Sequence, residues 1–113
     1  MAIELIDTSV TLDKLKKMAE EQFAGELVKA VVDIEKNLMA IGGAMHADEE
    51  AFLLEQGSEQ QNLWGINLRP NDEDLIEFDS MINIRPSQNN RSRSVEDLAV
   101  QEEIRKIVAE LVK

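Results

Sequence analysis

The residues best suited to chemistry in this chain are three arginines, a set of asparagines and a single histidine. Arg85, Arg91 and Arg93 fall in the segment RPSQNNRSR, with Asn83 just before it and Asn90 inside it. The chain has 12 basic and 23 acidic residues and a net charge of −11, yet the stretch from Ser80 to Arg93 contains no acid. Guanidinium groups present forked donors that match carboxylate and phosphate oxygens, and asparagine adds neutral donors beside them. The pattern therefore points to an anionic ligand or an acidic partner held by Arg85, Asn90, Arg91 and Arg93, with Asn67 and Asn83 facing the same side. The competing explanation is that these arginines pair with the abundant surface acids, where each pair contributes little.

The one histidine is His46, in GGAMHADEE. It is the candidate acid–base group, since only histidine titrates near neutrality without help. Its neighbours Asp48 and Glu49 do not form a specific metal signature with it, and a hydrogen-bonding role at a helix start is the plainer reading. Glu77 and Asp79 alternate onto one face of a strand and are weak candidates for a divalent cation if Asp33 and Glu35 adjoin them. In so acidic a chain such adjacency arises by chance, and no metal or cofactor is expected. Neither a phosphate-loop glycine pattern nor a nucleophile-elbow serine is present.

Around these residues the hydrophobic pattern alternates between strand and helix. Ala2 to Ile6 reads as a short strand. Thr11 reads as a helix N-cap, followed by Leu12, Leu15, Met18, Ala19 and Phe23 at helical spacing and by Gly25 as a stop. Leu27 to Gly43 reads as a hairpin turning at Lys36-Asn37, with Val32 opposite Ile41 and Ile34 opposite Met39. Met45 to Gly57 reads as a helix with acids in its first turn.

The pattern then returns to strands. LWGINLR (63–69) reads as a strand with Trp64, Ile66 and Leu68 on its core side. A hairpin loop leads from it into a long strand, Leu75 to Arg85, that ends at Pro86. In that register Asn67 lies beside Glu77, and the small Ser80 leaves room for the Trp64 indole. Ser94 reads as the N-cap of a last amphipathic helix, with Asp97 completing a capping box. The order β-α-β-β-α-β-β-α predicts one α+β domain over residues 1–113, an antiparallel sheet of four or five strands with helices packed on it.

Composition narrows the classes further. Hydrophobic residues at 43% and charged residues at 31% suit a soluble globular fold. The absence of cysteine removes disulfides, thiolate metal sites and cysteine nucleophiles. Strong acidity and aromatics at only 4% argue against nucleic acid as a partner. No run is long and apolar enough to span a membrane, and MAIELID is no signal peptide, so the expected setting is the cytoplasm. Uncovered sheet edges predict a homodimer.

The runs VVDIEKNLMAIGG, HADEEAFLLEQGS, LWGINLRP, IEFDSMINIRPSQNNRS and VED together resemble a family of small bacterial proteins, cyanobacterial ones among them, catalogued as a domain of unknown function. The resemblance covers nearly the whole chain, most closely from Leu27 onward, and implies a bacterial cytoplasmic protein. It brings no activity, cofactor or site residue. Three functions remain open: a non-catalytic binding domain using the Arg85–Arg93 segment, a protein–protein interaction partner in a small operon, and a hydrolase of phosphate esters in which His46 moves the proton and arginines stabilise charge. They rank in that order, and the last requires His46 and Arg85 to share one pocket.

Overall fold

A computed structural model describes residues 2–113. Its elements are β1 (Glu4–Ile6), α1 (Leu12–Phe23), β2 (Val28–Asp33), β3 (Leu38–Ile41), α2 (His46–Glu55), β4 (Leu63–Leu68), β5 (Ile76–Glu77) and α3 (Leu98–Leu111). The five strands form one antiparallel sheet in the order β1-β3-β2-β4-β5, so the fold is α+β as the pattern predicted. No helix among the described residues is long and apolar enough to cross a membrane.

Strand alternation sorts the side chains onto two unequal faces. Ala30, Val32, Met39, Ile41, Trp64, Ile66 and Leu68 point to one side and meet Leu15 and Met18 of α1 and Ile104, Ile107 and Leu111 of α3 in the main core. The other side buries a smaller set, Val31, Ala40 and Leu63, against Leu53 and Phe52 of α2. At the far end of this second face the strands turn polar. Lys29 of β2, Asn67 of β4 and Glu77 of β5 lie in one cross-strand row. α2 begins beside this row, and the polar end of the face is where a cleft forms.

Thr11 caps α1 as expected, accepting from the Lys14 N–H at 3.1 Å. The β2–β3 hairpin differs from its expected register by two residues: Val32 faces Met39, and Ala30 faces Ile41. Asp33 explains the wider turn, since its Oδ1 accepts from the N–H groups of Glu35 and Lys36 and builds a four-residue loop closed by Asn37 at φ 56°. A slip of two leaves every side chain on its expected face. Both sheet edges are short, three residues in β1 and two in β5, which reduces the need for a second copy to cover them.

The larger correction concerns the long strand. Only Ile76–Glu77 pairs with β4, with Asn67 opposite Glu77 as expected. Beyond Asp79 the chain leaves the sheet and makes a 3₁₀ turn at Met81–Asn83, capped by Ser80 Oγ accepting from the Ile82 N–H. A side chain does there what a strand would have done. Asn83 Oδ1 accepts from the Gly65 N–H at 2.8 Å, and its Nδ2 donates to the Gly65 carbonyl at 2.9 Å. Ser80 lies over Gly65, not beside the indole. A Cβ on Gly65 would stand 2.5 Å from the Ser80 Cβ and Oγ. The capping of α3 also moves. Asp97, not Ser94, is its N-cap, accepting from the Ala99 N–H at 2.9 Å, because Asn90 engages the Ser94 carbonyl and the Glu96 N–H.

Replacement of Gly65 by alanine is therefore expected to destabilise the domain by about 1–3 kcal/mol through overpacking against Ser80. Urea denaturation checks this, and an unchanged midpoint would mean the segment after β5 is not packed as described.

Candidate functional site

A cleft of about 460 Å³ opens at the polar end of the α2 face. Its cations are Lys29, Arg69 and Arg93, its carboxylates Glu77 and Asp79, and its neutral polar groups His46, Asn67 and Ser80. Leu27, Met45, Ala47, Met81 and Ile82 form the apolar part. Three different devices bring these residues together. The sheet presents Lys29, Asn67 and Glu77 in one row. The start of α2 presents His46 and Ala47. The loop after β5 returns Arg93 to the sheet, its carbonyl accepting from the Ser80 N–H and from Asn83 Nδ2, each at 3.0 Å.

The charges are largely arranged in pairs. Glu77 Oε1 accepts from Asn67 Nδ2 at 2.8 Å and from the Arg69 guanidinium at 3.0 Å. The Asn67 hydrogen bond, assisted by Arg69, holds the Glu77 carboxyl below the usual range despite partial burial. Arg93 Nε meets Asp79 Oδ1 at 2.7 Å in an exposed pair. Lys29 makes no ion pair among the described residues, and its ammonium lies 5.4 Å from the centre of the Phe23 ring.

His46 is the first residue of α2 and is half-buried. Its Nε2 lies 2.7 Å from the Ile66 carbonyl oxygen. A carbonyl only accepts, so the neutral ring carries its proton on Nε2 and keeps a lone pair on Nδ1. Burial pushes its pKa below the usual histidine value, opposed by the Ile66 hydrogen bond and reinforced by the charge of Lys29. One turn on, Glu49 is fully buried, with Oε2 accepting from the Gly43 N–H at 3.0 Å. Burial raises its pKa to about 9, so it is an uncharged acid at neutral pH.

Of the residues singled out from sequence, the cleft gathers His46, Asn67, Glu77, Asp79 and Arg93. Asn83 and Asn90 have other duties. Both are buried, and Asn90 Nδ2 donates to the carbonyls of Asn83, Ser92 and Ser94 while its Oδ1 accepts from the Glu96 N–H. Arg85 stacks on Trp64, 4.2 Å from the ring centre, and donates to the backbone carbonyls of Gln60 and Leu63. Arg91 is exposed, and its backbone N–H donates to Glu96. The Ser92 side chain, with the N–H groups of Arg91 and Ser92, holds the Glu96 carboxyl below its usual range. The arginine-rich segment is thus mainly a self-bonded loop, and His46 shares its pocket with Arg93, not with Arg85.

Asp33 and Glu35 do not join Glu77. Asp33 pairs with Leu63 at one end of β4 and Glu77 with Asn67 near the other. Asp33 Oδ2 is taken by the Ser58 hydroxyl at 2.7 Å. No cluster of three or more His, Asp or Glu suited to a metal occurs among the described residues. Sequence reasoning missed Lys29 and Arg69. A lysine inside an apolar strand was a visible signal, but its position beside Asn67 depends on a pairing between β2 and β4 that no hairpin announces.

A family profile described as "Protein of unknown function (DUF5674)" matches residues 4–111. The chain belongs to that family. No curated protein and no solved structure matches it.

The state of Glu49 makes a pH prediction. The folded carboxyl keeps its proton to about pH 9, whereas the unfolded one releases it near 4.5. Between those values the folded state binds more protons, so this group's stabilisation is complete in acid and is lost as pH rises through the window. Urea unfolding of wild type and Glu49→Gln at pH 5, 7 and 8.5 is expected to show the variant gaining on wild type with rising pH, by on the order of a few kcal/mol. A constant difference across pH would show Glu49 ionised in the fold.

Proposed function

We propose that this protein is a non-catalytic binding domain that holds a small anionic ligand in the cleft at the start of α2. Lys29, Arg93 and the first turn of the helix would meet the charge. The observation that carries this reading is Lys29, a cation without a carboxylate partner among the described residues, lining the same cleft as His46 and Ala47. Its neighbourhood is partly buried and apolar, where an ion pair is screened less than at an open surface. The backbone N–H groups at a helix start favour negative charge. The Arg85–Arg93 segment then contributes through Arg93 alone, with Arg85, Asn83 and Asn90 keeping the loop in shape.

A small molecule suits the cleft better than an acidic protein surface, because Lys29 and Arg69 are part-buried in a concave space of about 460 Å³. The apolar residues at one end, Met45 and Met81 both well exposed, would cover an aliphatic part of the ligand. Hydrolysis ranks below binding. His46 Nδ1 could accept a proton, but Arg85, which that reading needs in the same pocket, stacks on Trp64 outside the cleft. We take the cytoplasm as the setting, where soluble metabolites with such groups are found.

Isothermal titration at low salt with short-chain carboxylates and phosphate monoesters tests the proposal. Lys29→Ala combined with Arg93→Ala is expected to weaken binding at least about tenfold, the effect of losing one charge-assisted hydrogen bond. Arg91→Ala is expected to leave it unchanged. Equal affinities in all three proteins, or no binding by wild type, would contradict the assignment.

A further inference from the structure

His46 is a neutral acceptor in a site otherwise suited to negative charge. Its ring is held from one side only. Nε2 donates to the Ile66 carbonyl at 2.7 Å, which leaves Nδ1 without a proton. Nδ1 has no protein partner among the described residues. The buried side-chain atoms that lack a partner lie elsewhere, so Nδ1 is open to solvent. His46 lines the cleft, and so do the three charged groups whose fields reach its ring, Lys29, Asp79 and Arg93. The open side of the ring is therefore the cleft side.

A neutral ring is what the protein's own groups select. Burial disfavours the charged ring first of all. The Ile66 hydrogen bond and Asp79 oppose that effect, and Lys29 and Arg93 add to it. The remaining charges nearby are mostly engaged. Glu77 is tied to Asn67 and Arg69, and Asp79 to Arg93. Glu49, three residues along α2, is an uncharged acid at neutral pH, and Asp48 puts one acid in the first turn of the helix. An anion seated against Lys29 reverses the balance. It offsets the positive charge that resists a further proton, and it offers an acceptor for a new N–H. Protonation needs no rearrangement, because an imidazolium has two donors. Nε2–H stays on the Ile66 carbonyl, and Nδ1–H is free to make a charge-assisted bond to the ligand.

We propose that His46 binds the ligand directly and as an imidazolium, its Nδ1 taking a proton from solvent as the anion enters the cleft. This inference rests on the anion-binding reading above and adds to it a further cationic contact and a pH dependence. Binding and protonation are reciprocal: the factor that the proton adds to ligand affinity is the factor that the ligand adds to proton affinity. Affinity is level below the pKa of the free ring, falls with rising pH up to the pKa of the bound ring, and is level again above it.

The chain has a single histidine, so the imidazole resonances of the untagged protein report on His46 alone. The experiment follows them by NMR from about pH 5 to about pH 8.5, with and without saturating 4-methylpentanoate, a carboxylate that stays ionised over that range. The expected result is a titration midpoint raised by at least about one unit in the complex, with affinity falling by up to about tenfold as pH rises. Between the two midpoints, the ¹⁵N shift of Nδ1 is expected to show a proton in the complex and none in the free protein. In His46→Gln, whose amide retains a donor for the Ile66 carbonyl, 4-methylpentanoate is expected to bind more weakly and with no pH dependence. A midpoint unmoved or lowered by bound 4-methylpentanoate would overturn the inference and leave the anion site standing. No binding at either end of the range would overturn both. The wild-type titration decides the matter even if the variant does not fold.

Discussion

Everything at the cleft depends on the amide of Asn83 taking the place of a strand. β4 needs partners on both sides, and past Asn67 the chain of β5 has already left. The main-chain N–H and carbonyl of Gly65 would then lack partners in the interior, a costly state for backbone groups. One asparagine side chain satisfies both and spends its remaining donor hydrogen on the Arg93 carbonyl. Gly65 permits the arrangement because it has no side chain where Ser80 crosses the strand. Asn90 repeats the device one layer out, tying four backbone groups of the loop to itself. Two buried amides thus hold a loop with little apolar content of its own, and that loop sets Asp79 and Arg93 opposite the start of α2.

The same constraint explains which parts of the structure were readable in the chain and which were not. Several local signals held, Thr11 as a cap, Asn37 as the turn residue with positive φ, and the alternating faces of β2, β3 and β4, whereas the Ser94 cap did not. The pairing of Asn67 with Glu77 followed from hairpin geometry alone. The segment after Glu77 misled because its alternation of isoleucines is what a strand would show. What overrides that pattern is a tertiary bond from Asn83 to Gly65, 18 positions away, and sequence spacing carries no record of it. Asn83, Asn90 and Arg85 stood out as donors for a ligand, but their donors are spent mainly on the protein's own carbonyls.

The site was half legible for a related reason. Residues close in sequence to a visible feature were found, as with Asn67, Glu77, Asp79, Arg93 and His46. Lys29 was not, because the order β1-β3-β2-β4-β5 joins β2 to β4 across the whole of β3 and α2. Charge statistics drew attention to the arginines, yet the telling cation is a lysine within an apolar strand. Glu49 shows the converse. It was read as one of several acids complementing the positive end of α2, whereas burial keeps it uncharged at neutral pH. Its removal from the charge count leaves the start of α2 less negative than the sequence suggests, which favours an anion there.

The central claim is that ligands meet this protein at the start of α2 and not at the arginine-rich loop. The most direct measurement is a titration of ¹⁵N-labelled protein with 4-methylpentanoate, followed by amide chemical shifts. The account predicts the largest changes at the backbone amides of His46 and Ala47 and at the side-chain amide of Asn67. Changes confined to the backbone amides of Gln88 to Arg91 would contradict it.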